Sequence, residues 1–200
     1  MPSNDDDLYD QFPVVLFDID GTLTDHRRQV TPQMVAALTE LSHDAHLGFV
    51  TGSPLLLIEE QLSLFFNKDN AAAAENVDIF PCNGTQQFFW DSTDGKFICV
   101  NAVSMRKHLG DDCFRKLIIS AQECQHQFMH EFALRHNIPM SGNFIDYRGS
   151  LLNWCPIGRM ADFDERKKFI KADAELGIRK LLMSKYLEMI DDMGVAVNLG

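Results

Sequence analysis

The first apolar block, Val14-Val15-Leu16-Phe17, is hydrophobic at every position and follows Pro13. A continuous apolar run, β-branched at its start, reads as a strand buried on both faces of a parallel sheet. A loop rich in Asp, Gly and Thr follows it directly. Thr31-Pro32 then supplies a capping hydroxyl and a proline at the first helical position, with Met34, Val35, Leu38 and Leu41 at helical spacing behind them. A second strand is predicted over Leu47 to Val50. After it, Ser53-Pro54 reads as the cap and first turn of a helix through Leu64, and a third strand runs from Val77 to Phe80. Strands alternating with helices, with polar loops at the strands' carboxyl ends, predict a doubly wound α/β layer with its ligand site at those ends.

The texture changes after Gly84. Gln86 to Asp91 and Lys96 to Asn101 flank Asp94-Gly95 and read as a β-hairpin. A long helix from about Asp111 carries Phe114, Leu117, Ile118, Ala121, Phe128 and Phe132 on one stripe. Asn143 to Arg148 and Leu151 to Cys155 read as two strands joined at Gly149-Ser150. Asp162 and Glu165 have capping-box spacing for a helix through Leu176, Arg179 to Met193 reads as another, and Val195 to Asn198 as a last short strand. The resulting division is a polar tail over 1–12, a Rossmann-like core over 13–85 and an α+β domain over 86–200. The tail, with Asp5-Asp6-Asp7 as a solvated charge run, is expected to be disordered.

An apolar share of 46% with 24% charged residues is that of a folded chain, not a disordered one. The net charge of −11 argues against nucleic acid or an anionic membrane as the main partner, so an anionic metabolite would need a local cluster of arginines. Five scattered cysteines without a C-x-x-C pair suit a reducing compartment. No apolar h-region follows the acidic N-terminus, and the greasiest stretch, Leu55 to Phe66, is broken by Glu59, Glu60 and Gln61. The expected location is therefore cytoplasmic, with no membrane span. His126 and His130 stand at i and i+4 on the long helix but lack a third ligand at suitable spacing, and read as a solvated or dimer-facing flank.

The sharpest signal is Phe17-Asp18-Ile19-Asp20-Gly21-Thr22-Leu23-Thr24, coming straight off the first strand. Carboxylates at i and i+2 lean to the same side of a strand, and their repulsion is relieved by a divalent cation with oxygen ligands. Gly21 allows a sharp turn beneath the ligand. This octet resembles the first motif of the haloacid dehalogenase superfamily of phosphotransferases. The resemblance implies an incomplete haloacid-dehalogenase-like Rossmannoid core with an inserted α+β cap. It makes Asp18 the nucleophile that forms an aspartyl-phosphate and Asp20 the general acid and base. Mg²⁺ would be held by the Asp18 carboxylate and the Asp20 backbone carbonyl. The superfamily's second motif falls on Thr51-Gly52-Ser53, where Thr51 or Ser53 would hydrogen-bond the transferring phosphoryl group; Ser53 is also explained as a helix cap.

Asn143-Phe144-Ile145-Asp146-Tyr147-Arg148, Leu151 to Arg159 and Asp164-Glu165-Arg166 are similar to the cap of eukaryotic-type phosphomannomutases. Thr24 to Arg27, Glu59 to Leu62 and Phe80 to Gly84 match the same family in order and spacing. The resemblance implies interconversion of mannose 6-phosphate and mannose 1-phosphate through a hexose 1,6-bisphosphate, which also serves as activator, in GDP-mannose synthesis. Arg148, Arg159 and Arg166 would clamp the distal phosphate, with Asn153 beside them and Arg27 reaching in from the core loop. Guanidinium forks suit that task because they bind phosphate oxygens bidentately. The family also implies a homodimer paired through its caps. Family members continue beyond the position of Gly200 with a further cap segment, a lysine and an acidic metal loop, so a truncated chain with weakened Mg²⁺ binding is expected. Two alternatives stand beside the mutase: a sugar-phosphate phosphatase of the same superfamily, and a non-catalytic product acting only through cap dimerisation. Asp191 and Asp192 are not expected to replace the missing metal ligands.

Overall fold

The computed structural model describes residues 12–191 and 193–199, so Asp5–Asp7 and Asp192 lie outside the described residues. The chain forms two compact units, residues 1–103 and 104–200.

In the first unit, β1 (Val14–Asp18), β2 (His46–Val50) and β3 (Val77–Phe80) are parallel, with Asp18 beside Val50 and Val50 beside Phe80. The helices between them are α1 (Pro32–Leu41), α2 (Leu55–Gln61) and α3 (Ala71–Glu75). Thr31 caps α1 as expected, its Oγ1 accepting from Met34 N at 3.2 Å, with Pro32 at the first position. Ser53 does not cap α2. That helix starts one residue later behind an extended Pro54 with no side-chain cap, and ends at Gln61 rather than Leu64.

The hairpin β4 (Gln86–Asp91) and β5 (Lys96–Ala102) corrects the sequence-based division at residue 85. After the turn α4 (Pro81–Gly84), β4 runs antiparallel to β3, pairing Asp78 with Phe89 and Ile79 with Phe88. The sheet order is therefore β1-β2-β3-β4-β5. Trp90 and Phe97 carry the hairpin's apolar face into the same core as Phe66, with ring centroids 4.8 to 5.7 Å apart.

One face of this sheet is packed. Val15, Phe17, Leu47, Phe49, Val77 and Ile79 share a core with Leu38 of α1, Ile58 of α2 and Ala73 and Ala74 of α3. The physical reason is handedness. Both crossovers step the same way along the sheet, and right-handed connections in one direction place their helices on one face. The doubly wound reading thus meets a sheet with helices on one side only. On the opposite face, Val14 and Leu16 of the edge strand β1 are 66% and 61% exposed.

That open face carries a histidine with an assignable charge. Asn76 Nδ2 donates to the carbonyls of Ser42 and Ala45, which turns its Oδ1 toward His46 Nδ1 at 2.8 Å. His46 Nε2 meets Asp78 Oδ2 at 2.9 Å. Both ring nitrogens face acceptors, an arrangement satisfied in full only by the imidazolium. Burial alone lowers the pKa of His46, but the hydrogen bonds to Asp78 and Asn76 outweigh it and raise it above the ordinary value. A raised folded-state pKa stabilises the fold below the unfolded value, about 6.5, and that contribution is lost as pH rises through the folded pKa. Denaturant unfolding at pH 5.5 and pH 8.5 should therefore show wild type ahead of His46→Leu at the lower pH, with the gap shrinking at the higher.

The second unit is built on α5 (Met105–Phe128), α6 (Leu134–His136), β6 (Ile145–Tyr147), β7 (Leu152–Trp154), α7 (Phe163–Leu176) and α8 (Ile178–Ile190). Within α5, Gly110 leaves helical geometry at φ 78°, so the long regular segment does run from Asp111. It passes through a π-turn at Met129–Ala133 before α6. Antiparallel β6 and β7 pair Ile145 with Trp154, Asp146 with Asn153 and Tyr147 with Leu152. The capping box of α7 forms as predicted, with Asp162 accepting from Glu165 N and Glu165 from Asp162 N. The predicted strand at Val195–Asn198 is not formed; Val195 and Val197 instead pack irregularly against the cluster of Leu117, Ala121, Tyr186 and Ile190.

Candidate active site

Three loops leave the carboxyl ends of β1, β2 and β3 side by side, because the strands are parallel and in register there. Asp18 is the last residue of β1 and is exposed, with Oδ1 accepting from Ile19 N at 2.8 Å. The next turn closes tightly: Gly21 N donates to Thr24 O at 2.7 Å, and the amides of residues 22–24 converge on Ile19 O. Asp20 Oδ1 accepts from Arg27 N and from Gln61 Nε2, each at 2.9 Å. Arg27 sits at φ 56°, a strained conformation for a side-chain-bearing residue, which the contact with Asp20 helps to hold. A surface cavity of about 350 Å³ lies alongside, lined by Arg27, Gln29, Leu57, Glu60 and Gln61.

Thr51 is buried at the end of β2, its Oγ1 accepting from Ser53 N at 3.2 Å, which leaves the hydroxyl proton for another acceptor. The second and third loops are stitched together by Thr51 N to Phe80 O, Asn83 N to Thr51 O and Cys82 N to Ser53 O, at 2.8 to 3.2 Å. Gly52 lies close under Asn83, whose Oδ1 would stand 3.1 Å from a Cβ at that position. Thr51, Gly52 and Ser53 are thus held on the strand adjacent to Asp18, with Thr51 the more enclosed of the two hydroxyl residues.

Within the second unit, the strand pleat sorts the side chains of β6 and β7. Ile145, Leu152 and Trp154 pack with α5 and α8, and the Tyr147 ring meets Phe114 of α5 at a tilt of 58°. Asp146 and the paired Asn153 therefore stand on the opposite face. Arg148, its side chain nearly buried, donates from Nε to Asp146 Oδ2 at 2.9 Å, and Arg159 Nε lies 3.9 Å from the same oxygen. Arg166 Nη2 donates to Arg159 O, and its Nε to Ala161 O, both at 3.0 Å. Two guanidiniums thus meet a single carboxylate, with Arg166 tied to the Arg159 backbone, which leaves an excess of positive charge suited to a dianion. The loop that holds them is closed by Arg159 N to Asn143 O and Ser141 N to Ile157 O, while Ser141 Oγ donates to Glu165. The structure brings Arg148, Arg159 and Arg166 together with Asn153 on a neighbouring strand; Arg27, Asp18, Asp20 and the Thr51–Ser53 loop belong to the first unit.

A family model for eukaryotic phosphomannomutase matches residues 34–200. The chain belongs to that family. Over 188 residues it is 32% identical to phosphomannomutase of Solanum lycopersicum, covering 94% of this chain and 67% of the relative. Phosphomannomutase 1 of Dictyostelium discoideum is 31% identical over the same length, with 68% of the relative covered. The chain spans about two thirds of the length of these phosphomannomutases. An IMP-nucleotidase structure from Plasmodium falciparum aligns with a TM-score of 0.53 at 12% identity, over 86% of this chain and about half (49%) of that one, a likeness of fold. The phosphomannomutase family is one of intramolecular phosphotransferases, and the chain has the expected mixed α/β fold with a parallel-strand sheet.

Phosphotransferases of the haloacid dehalogenase superfamily, whose first motif the Asp18–Asp20 segment resembles, generally use Mg²⁺. The donors here fit it, being hard carboxylate and carbonyl oxygens around Asp18 and Asp20, with Asp18 Oδ2 turned away from the Ile19 contact. Among the described residues no group of three His, Cys, Asp or Glu side chains forms a cage. Magnesium commonly takes one or two carboxylates and completes its shell with water and substrate phosphate. No helix of the described residues is long and apolar enough to cross a membrane.

Two contributors carry no sequence-based role, Asp146 and Gln61. Asp146 lies within a segment similar to the family's cap, and its alternation with Arg148 along the strand places both near one face. Gln61 shares the stripe Ile58, Gln61, Leu62 and Phe65, all buried, so an amide stands where the helical period calls for an apolar side chain.

Proposed function

We propose that the protein is a phosphomannomutase that interconverts mannose 6-phosphate and mannose 1-phosphate, feeding GDP-mannose synthesis. The observation that carries this reading is the gathering of Arg148 and Arg159 on Asp146, with Arg166 bound behind them. A phosphatase needs one phosphate grip; a mutase working through a bisphosphate needs two.

In this mechanism Asp18 attacks phosphorus of the hexose 1,6-bisphosphate. The phosphorus–oxygen bond to the sugar breaks as Asp20 gives its proton to the departing sugar oxygen. A hexose monophosphate next presents its free hydroxyl to the aspartyl-phosphate, Asp20 removes that proton, and the phosphoryl group passes to the sugar. The resulting bisphosphate turns round and returns its other phosphate to Asp18, releasing the isomeric monophosphate. Thr51 or Ser53 orients the group in transit, the Gly52 backbone lets it approach, and Arg27, Arg148, Arg159, Arg166 and Asn153 hold the substrate. The Asp18 carboxylate and the Asp20 carbonyl would hold Mg²⁺, which would supply charge neutralisation for phosphoryl transfer. The bisphosphate also serves as activator by phosphorylating Asp18. A cytoplasmic homodimer paired through the second unit accompanies this reading, supported by family membership.

The test is ³¹P NMR of mannose 1-phosphate with Mg²⁺ and a trace of bisphosphate. The expected product is mannose 6-phosphate; inorganic phosphate alone marks a phosphatase, and an unchanged spectrum a non-catalytic chain. Arg159→Met should raise KM for the hexose phosphate by about tenfold, since a charge-assisted contact to phosphate is lost.

A further inference from the structure

Gln61 is 5% exposed at the end of α2, and its side-chain amide uses Nε2 twice, toward Asp20 Oδ1 at 2.9 Å and Thr24 Oγ1 at 3.3 Å. Its backbone carbonyl accepts from Val30 N at 2.7 Å, which fixes the stretch just beyond Arg27 to the same residue. Asp20 Oδ1 thereby receives two donors, Gln61 Nε2 and Arg27 N, and among the described residues no hydrogen bond ends on Oδ2. Two donors on one oxygen fix the plane of the carboxylate as well as its rotamer. A buried amide on an otherwise apolar helix stripe is retained only where its polar atoms are matched, and here the partner is the second aspartate of the motif.

We infer that Gln61 is a positioning residue for phosphoryl transfer: it pins Oδ1 of Asp20 so that Oδ2 alone is presented to exchange a proton with the sugar oxygen. The inference rests on Asp20 acting as general acid and base, and it adds the device that aims it. Placement of this kind matters because general acid–base catalysis contributes about 10²–10⁴-fold and falls off when the group is misdirected.

The test compares wild type, Gln61→Met and Thr24→Val. With hexose phosphate, Gln61→Met should lose about a hundredfold in kcat at little change in KM. With p-nitrophenyl phosphate, whose leaving group departs without a proton, the burst of nitrophenolate that reports attack by Asp18 should fall by no more than about fivefold. Equal losses on both substrates, or no loss, overturn the inference. Thr24→Val removes only the second contact of Nε2 and should resemble wild type; a loss equal to that of Gln61→Met also overturns it. Crystal structures of wild type and Gln61→Met give an arm independent of turnover. The Asp20 carboxylate should keep Oδ1 on Arg27 N in wild type and rotate, or take several orientations, in the variant; an unchanged orientation overturns the inference. Should Gln61→Met fail to fold, the Gln61 side-chain amide signals in ¹⁵N NMR of wild type and Asp20→Ala replace it. They should shift and exchange faster when Asp20 is removed, and identical signals overturn the inference. Absence of both turnover and burst in wild type counts against the mutase reading itself, and the structural arm then decides the role of Gln61.

Discussion

Replacing Asp18 with Asn is expected to lower phosphoryl transfer by at least about 10⁴-fold, the scale on which loss of a nucleophile acts. The substitution is close to isosteric, and Asp18 sits exposed at the mouth of the sheet, so little packing changes with it. The Asn oxygen still accepts from Ile19 N, as Asp18 Oδ1 does now. What is lost is the anionic oxygen that bonds to phosphorus and the negative charge that attracts a cation. The thermal midpoint should stay within about a degree of wild type, because a surface change away from packed features alters stability by less than about 0.5 kcal/mol. Mass spectrometry after incubation with bisphosphate should show a phosphate adduct on wild type and none on the variant. A variant that still gains the adduct would place the nucleophile elsewhere.

The second large effect is one of folding. Gly158 has φ 90°, and a Cβ there would stand 2.3 Å from the carbonyl oxygens of both Gly142 and Ser141. These are backbone atoms in a closed crossing, held by Ser141 N to Ile157 O and Met160 N to Ser141 O, so no side chain can swing aside. Gly158→Ala should destabilise the second unit by about 4 kcal/mol, in the range of the most damaging single changes. The same displacement moves Arg159, whose amide is tied to Asn143 O, away from the oxygen it shares with Arg148. The chain offers a convenient reporter pair, since Trp90 lies in the first unit and Trp154 in the second. In a Trp90→Phe background, denaturant unfolding followed by Trp154 fluorescence should shift to lower midpoint in Gly158→Ala. In a Trp154→Phe background, the Trp90 transition should hold its place. Equal stability by the Trp154 signal would contradict the clash.

Much of this was legible along the chain because it is local chemistry. The strand at Val14–Phe17 was legible, though not its burial on both faces, since Val14 and Leu16 are exposed; Thr31-Pro32 and Asp162/Glu165 mark helix starts through contacts only three residues apart. The aspartate pair and the arginines stand in short segments whose spacing the structure keeps. What was not legible depends on pairing across long separations. Nothing between Gln86 and Ala102 declares that this hairpin joins β3, because antiparallel pairing is chosen by a distant edge rather than by the turn at Asp94-Gly95. Val195 to Asn198 has strand-forming side chains but takes no ladder, since propensity yields to packing against α5 and α8. Ser53-Pro54 has the composition of a helix cap, yet Ser53 belongs to the turn in which its amide binds Thr51. Gln61 shows how a side chain of this kind hides: its period is that of a core residue, and only its partner Asp20, 41 residues earlier in the chain, explains the amide.

The bare side of the parallel sheet has a chemical character beyond its apolar edge. Between Val14 and Leu16 on one flank and Phe89 on the other stand an imidazole and a carboxylate, His46 with Asp78, which form an ion pair when the imidazole is protonated. Such a couple in the middle of a greasy surface acts as a gatekeeper: two molecules pressing these surfaces together would have to strip water from an ion pair and give it nothing in return. The charge that braces the loop after α1 thus also discourages stacking of one sheet upon another, and that protection weakens in alkaline solution, where the imidazole becomes neutral.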